Sequence, residues 1–168
     1  MRNTEEIEGY VKSTLQSLQV DYQWIEVDPE YADTAICCEK YGFEISNTGN
    51  TIIVASKRGE KKYSACIVRG TEKLDVNRKV RELMGVSRLS FASSEKTVEL
   101  TGMMIGGVTP FALPEFIEIY LDEKLFELDF VILGSGDRSS KLKISPEELT
   151  KLPNSTIVEG LSIPSGGE

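Results

Sequence analysis

The 168-residue chain contains no histidine. That absence excludes a Ser-His-Asp or Cys-His nucleophile arrangement, an H-E-x-x-H zinc helix and any imidazole general base. Chemistry in this protein has to run on carboxylates, hydroxyls, lysine or arginine, backbone N–H groups and bound water. Cysteine is scarce as well. Cys37, Cys38 and Cys66 are odd in number and two are adjacent, which suits a reducing cytosol better than a disulfide framework. Without histidine and without paired spacing they make a poor zinc site, so neither a metal nor a cofactor is expected; the ordinary reading is small buried apolar side chains. No apolar run approaches the ~18 residues a membrane span needs. Met1-Arg2-Asn3-Thr4-Glu5-Glu6 turns acidic at once, which predicts no secretory leader, a cytoplasmic location and no membrane partner.

What is present is an ordinary globular composition, 40% hydrophobic and 27% charged, of a length that buries roughly 70% of its unfolded surface in one domain. The formal net charge of -8 is unevenly spread. Residues 1–56 and 89–168 each sum to -7, whereas residues 57–88 carry ten basic and four acidic side chains. Lys57, Arg58, Lys61, Lys62, Lys73, Arg78, Lys79 and Arg81 lie in that stretch. They offer a phosphate-binding patch; a solvated turn and the polar face of a helix would look the same.

Local patterns predict a mixed α/β domain. Ile7, Val11, Leu15 and Leu18 behind Asn3 and Thr4 predict an amphipathic helix. Residues 22–27 alternate as a strand, and Asp33-Thr34 opens a short helix that Gly42 ends. Residues 51–55 and 63–68 form a hairpin around a basic tip; Asp75 caps a helix closed by Gly85. A strand at 89–91, a helix from Ser93 or Ser94 to Gly102, strands at 116–121 and 130–133, a capping-box helix from Ser145-Pro146-Glu147-Glu148 to Leu152 and a strand at 156–158 follow. Residues 162–168 read as a frayed tail. Strand spacing is too irregular for a doubly wound parallel sheet, which predicts a mixed, barrel-like sheet surrounded by helices.

Two loops hold more special residues than a turn requires. Gly106, Gly107, Val108, Thr109 and Pro110 combine close backbone approach with a stiff exit. Residues 133–140, with Gly134, Ser135, Gly136, Asp137, Arg138, Ser139 and Ser140, offer N–H groups, three hydroxyls and a guanidinium suited to an anion or an ester carbonyl. Neither matches a phosphate-binding fingerprint, and each by spacing alone is equally a tight turn.

Taken in order, Asp33-Thr34-Ala35, the strand from residue 50 to 56, Asp75-Val76-Asn77, Leu89-Ser90-Phe91-Ala92, Glu99-Leu100-Thr101-Gly102, Gly106-Gly107-Val108-Thr109-Pro110, Leu121-Asp122, Gly134-Ser135-Gly136-Asp137-Arg138 and Lys141-Leu142 resemble the YbaK/prolyl-tRNA-synthetase-associated editing domain. The resemblance spans residues 31–161, leaving 1–30 as an N-terminal helix and strand of the same single domain. It implies a trans-acting hydrolase of the ester in misacylated tRNA, typically a small amino acid on tRNA(Pro), with a synthetase as a further partner and no DNA. It places the loop 106–110 and Gly134, Ser135, Gly136, Arg138 and Lys141 around the aminoacyl group, and Asn50 and Thr51 at the ester. The family's usual lysine on that strand falls on Asn50, which donates a hydrogen bond but brings no positive charge. Lys57, at the other end of the strand, is roughly 20 Å away by strand rise and does not replace it. Lys141 is the candidate for restoring charge near the pocket. Two readings stay open: a deacylase using backbone donors and the substrate's ribose hydroxyl, or a non-catalytic module that binds tRNA, an aminoacyl ligand or a synthetase on the same fold.

Overall fold

The structure is a computed structural model that describes residues 3–164. Helix α1, Thr4–Ser17, forms where the sequence pattern predicts it. The Asn3 side chain accepts from the Glu6 N–H, and Ile7, Val11 and Leu15 are buried along one stripe. Strand β1 (Gln23–Glu26) and helix α2 (Thr34–Tyr41, ended by Gly42 in the left-handed region) lead into β2, Gly49–Ser56. Strand β3 (Tyr63–Arg69) returns along β2 antiparallel, and β4 (Glu72–Leu74) follows. The helix expected after Asp75 is a π turn, Val76–Val80, running into α3, Arg81–Met84; Asp75 makes no side-chain cap. Next come β5 (Leu89–Phe91) and α4, Ser94–Thr101, with Ser93 accepting from Lys96 N–H and Gly102 closing it. The remaining strands are β6 (Glu118–Asp122), β7 (Val131–Gly134), β8 (Ser140–Ile144), β9 (Ser155–Val158) and β10 (Ser162–Pro164).

These strands form a five-stranded sheet in the order β5-β2-β3-β6-β9, a three-stranded sheet β1-β8-β7 and a small pair β10-β4. The large sheet is mixed: β2 is antiparallel to β3 and β5, whereas β6 runs parallel to β3 and β9. One face, through Ile53, Ala65, Ile67, Ile119 and Leu121, packs with Val131, Leu133, Leu142 and Ile144 of the second sheet and with the apolar stripe of α1. The other face, through Val54, Cys66 and Val68, packs on Val80, Met84 and Leu161. The expected mixed α/β domain with outer helices is therefore present. Among the described residues the strands do not close into one barrel; the large sheet and the three-stranded sheet are joined by a bridge between Thr48 and Ile132.

Three local expectations are corrected. Ser162–Pro164 is not frayed but pairs with β4, and Ser162 Oγ donates to the fully buried Asp122 carboxylate. The rest of the expected tail lies outside the described residues. The expected helix from Ser145 is a 3-10 turn, Pro146–Lys151, and its capping box is not closed, since Ser145 makes no side-chain cap and Glu148 accepts from the Asp21 N–H at 2.6 Å. Strand β8 was hidden in sequence by the polar run Ser140-Lys141-Leu142-Lys143, yet it is the central strand of its sheet.

Candidate functional site

A cavity of about 290 Å³ opens on the edge of β2. Its cause is a gap in strand pairing. β5 pairs with β2 only over Val54–Ser56; beyond it, Ala92 N–H donates to Ile53 O, and Lys57 N–H donates to Arg88 O at the far end. These bonds put the peptide groups of odd-numbered β2 residues on the β5 side, since Ser56, an even-numbered one, bonds across to Lys62. Next in that series is Thr51, past the end of β5, while Thr48 is already bridged to β7. The Thr51 N–H and C=O thus face the cavity. Among the described residues, Thr51 Oγ1 is buried without a hydrogen-bond partner.

Asn50 lines the same wall. Its Oδ1 accepts from Thr34 Oγ1 at 3.2 Å, which leaves Nδ2 as a donor. Helix α2 supplies Thr34, Cys37 and Cys38, and the apolar lining comes from Phe43, Ile52, Phe91, Ile105, Val108, Ile132 and Leu133. Burial raises both pocket thiols above their ordinary range, so they are neutral SH groups at physiological pH. They are pocket wall, whereas Cys66 is core, its thiol pushed up to about 12 by burial. The reading of the three cysteines as small buried side chains therefore holds for Cys37 and Cys66, whereas Cys38 is half-buried.

Lys141 is the cation of the cavity. It is only 6% exposed, and its Nζ donates to Gly106 O at 3.2 Å, leaving two further donors. Burial pulls its pKa below the ordinary lysine range, with the Arg138 charge acting in the same direction. Arg138 itself is committed to the frame: NH1 donates to Asp33 Oδ1 at 3.0 Å and to Ile105 O, and NH2 to Pro29 O. The guanidinium hydrogen bond and then its charge hold Asp33 below the usual carboxylate range. This half-exposed pair adds at most about 1 kcal/mol, so its consequence is geometric: it joins the start of α2 to two loops.

The two glycine-rich loops pack against each other. A Cβ on Gly107 would sit 2.4 Å from Asp137 O, and one on Gly134 2.5 Å from Val108 O. Gly136 N–H donates to Gly107 O at 2.6 Å. Close approach of backbone to backbone, more than of backbone to ligand, is what these glycines permit.

The sequence profile of the aminoacyl-tRNA editing domain matches residues 28–152. The chain belongs to the aminoacyl-tRNA editing domain family. It is 32% identical over 133 residues to the uncharacterized protein YwhH of Bacillus subtilis (strain 168), covering 79% of this chain and 82% of that protein. The prolyl-tRNA editing protein ProX of Acetoanaerobium sticklandii is 24% identical over 147 residues, with 84% and 87% covered. The crystal structure of the hypothetical protein APE2540 superposes with a TM-score of 0.81 at 27% identity, covering 92% of this chain and 99% of that one.

Within this editing-domain fold, the structure brings Asn50, Thr51, Gly106, Val108, Gly134 and Lys141 together around one cavity. Gly107, Thr109, Pro110, Ser135, Gly136 and Arg138 are not among its lining residues. Thr109 and Pro110 are buried at the start of a 3-10 turn, Pro110–Ala112, whose Phe111 and Ala112 join the core cluster of α1; Ser135 Oγ bonds Ser140. Sequence reasoning missed Cys37, Cys38, Phe43, Thr97 and Ile105; Thr34 and Phe91 stood in motifs that carried the resemblance without being read as site residues. The basic stretch is divided. Lys57, Arg58, Lys61 and Lys62 form the exposed hairpin tip, where Lys62 Nζ donates to Met84 O and draws in the helical segment bearing Lys79 and Arg81. Arg78 pairs with Asp75 at 3.2 Å, and Lys73 lies on β4, beyond the end of β3 that pairs with Gly49.

Proposed function

We propose that the chain is a trans-acting aminoacyl-tRNA deacylase that hydrolyses the ester of a misacylated tRNA carrying a small amino acid. The observation that carries this reading is the unpaired β2 edge: Thr51 N–H and Asn50 Nδ2 are donors on the wall of a cavity that also contains one buried lysine. An ester carbonyl seated there would build its negative charge against fixed donors that need no reorganisation. The Lys141 ammonium, shielded from water, supports that charge from the β8 side, where Asn50 offers none. The attacking water would pass a proton through the substrate's neighbouring ribose hydroxyl to the departing ribose oxygen as the acyl C–O bond breaks, and the acid formed would release its own proton to solvent, which requires no histidine. Cys37, Cys38, Phe43, Val108 and Leu133 suit a small, weakly polar side chain. ProX, a prolyl-tRNA editing protein, supports tRNA(Pro) as the carrier. The hairpin-tip cations would then meet phosphate, and a synthetase is a further partner to assay.

The test is release of amino acid from mischarged tRNAs, including Ala-tRNA(Pro) and Cys-tRNA(Pro), by the natural chain and by Asn50→Lys. Turnover by the natural chain is expected. No turnover above buffer, with turnover regained in Asn50→Lys, would overturn the reading in favour of a non-catalytic aminoacyl-ligand or tRNA-binding module, which Asn50 itself favours.

A further inference from the structure

Phe91 is an exposed aromatic at the mouth of the cavity, with 59% of its surface open to solvent. It ends β5, the edge strand of the large sheet. A lone exposed aromatic is ordinary on a protein surface, and what sets this ring apart is its place at the mouth of the cavity, where a ligand would pass. Exposed Ile105 also lines this cavity. β5 connects the mouth to the basic tip. Arg88, immediately before the strand, accepts through its carbonyl from Lys57 N–H, and three residues of strand rise, about 10 Å, separate it from Phe91. Exposed Arg88, Lys57 and Arg58 thus lie at one end of a short track and an open ring at the other, in a chain whose net charge is -8. Local cations that follow a phosphate backbone, beside an aromatic face that stacks a base, are the two elements of single-stranded nucleic acid recognition.

We propose that Phe91 is the stacking platform for the 3′-terminal nucleobase of the RNA, with Arg88 and Lys57 receiving the phosphates that precede it. This rests on the deacylase reading for its substrate, and it names the part of that substrate held outside the aminoacyl pocket. A protein ligand is disfavoured by the same combination, because an open π face with exposed cations one short strand away matches a base and the phosphates before it.

The experiment measures binding of a short uncharged oligoribonucleotide ending in CCA, and of the same oligonucleotide with an abasic 3′ terminus, to the natural chain, Phe91→Ala, Phe91→Leu and Phe91→Trp. Removing the base or the ring should each weaken binding about tenfold, and the two losses should not add. Phe91→Trp should bind at least as tightly as the natural chain, whereas Phe91→Leu should behave like Phe91→Ala. Equal binding of the intact and abasic oligonucleotides by the natural chain overturns the proposal. So does retention in Phe91→Leu, which would mean simple apolar contact. Melting temperatures of the variants check that an exposed position has not altered folding. Because binding is read without turnover, base-dependent binding in a chain that hydrolyses no mischarged tRNA would leave this site standing and remove the deacylase. Turnover with unchanged binding and KM in Phe91→Ala would do the reverse.

Discussion

The two ends of β2 use charge in opposite ways. At the Asn50 end, one ammonium is buried, its pKa lowered, and tied to a backbone carbonyl between two loops that pack glycine against backbone. At the Ser56 end, Lys57, Arg58, Lys61 and Lys62 are exposed on a turn. The first arrangement fixes positions and strengthens each interaction by excluding water; the second leaves its charges in solvent, where salt screens them. A ligand reaching both ends would be recognised by shape and hydrogen bonds in the cavity and by charge at the tip.

The contrast breaks first at the glycines. Gly107→Ala puts a Cβ 2.4 Å from Asp137 O, and since both sides of that clash are backbone the loops have to part. A loss of about 3 kcal/mol is expected in urea unfolding, with deacylation lost as well. A stable, active variant would mean that the loops are not a rigid wall. Lys141→Met tests whether the buried charge serves chemistry or folding. Deacylation should fall about 100-fold, as when one donor to a developing oxyanion is removed, while stability holds or rises because, among the described residues, the ammonium's recorded partner is the Gly106 carbonyl and not a carboxylate. An unchanged rate would remove Lys141 from the mechanism.

At the other end, replacing Lys57, Arg58, Lys61 and Lys62 together by glutamine should weaken tRNA binding and flatten its salt dependence, by about 0.7 to 0.9 in log-log slope for each phosphate no longer neutralised. The rate at saturating substrate should hold. A salt slope equal to that of the natural chain would show that the tip does not meet phosphate.

The smallest effect concerns the back of the pocket wall. Glu8 on α1 is pushed up from the ordinary 4.5 to about 7, first by burial and then by the hydrogen bond and charge of Asp137. Its raised value means that the folded chain holds this proton more tightly than the unfolded one. Its contribution is complete below about pH 4.5 and is lost as pH rises through about 7. Between pH 5 and 8 the melting temperature should therefore decline more in the natural chain than in Glu8→Gln, which stays neutral. Parallel declines would place the pH dependence elsewhere.

Much of the fold is legible from residues close in sequence. The stripe Ile7, Val11 and Leu15 and the stops at Gly42, Gly85 and Gly102 are local signals, and each ends where its chemistry says it should. The failures have physical causes. β4 and β10 are three residues each, too short to show a period, and exist because they pair with one another. The glycine-rich loops were legible as special but not as each other's packing partners, because 107 and 134 meet only in space. Arg138, which reads as an anion ligand, is occupied by Asp33 and two carbonyls from segments far along the chain.

By itself the sequence determined the absence of imidazole chemistry, the basic stretch within an acidic chain, the helices and strands that carry a local period or cap, and the motifs of the editing-domain family. Periodicity, capping and charge are properties of neighbouring residues, so they survive without coordinates. Only the tertiary structure decided that β5 stops short of Thr51, that Lys141 reaches the same cavity as Asn50, and that Phe91 stands at its mouth. Those facts depend on where distant strands begin and end against one another, which no local pattern encodes.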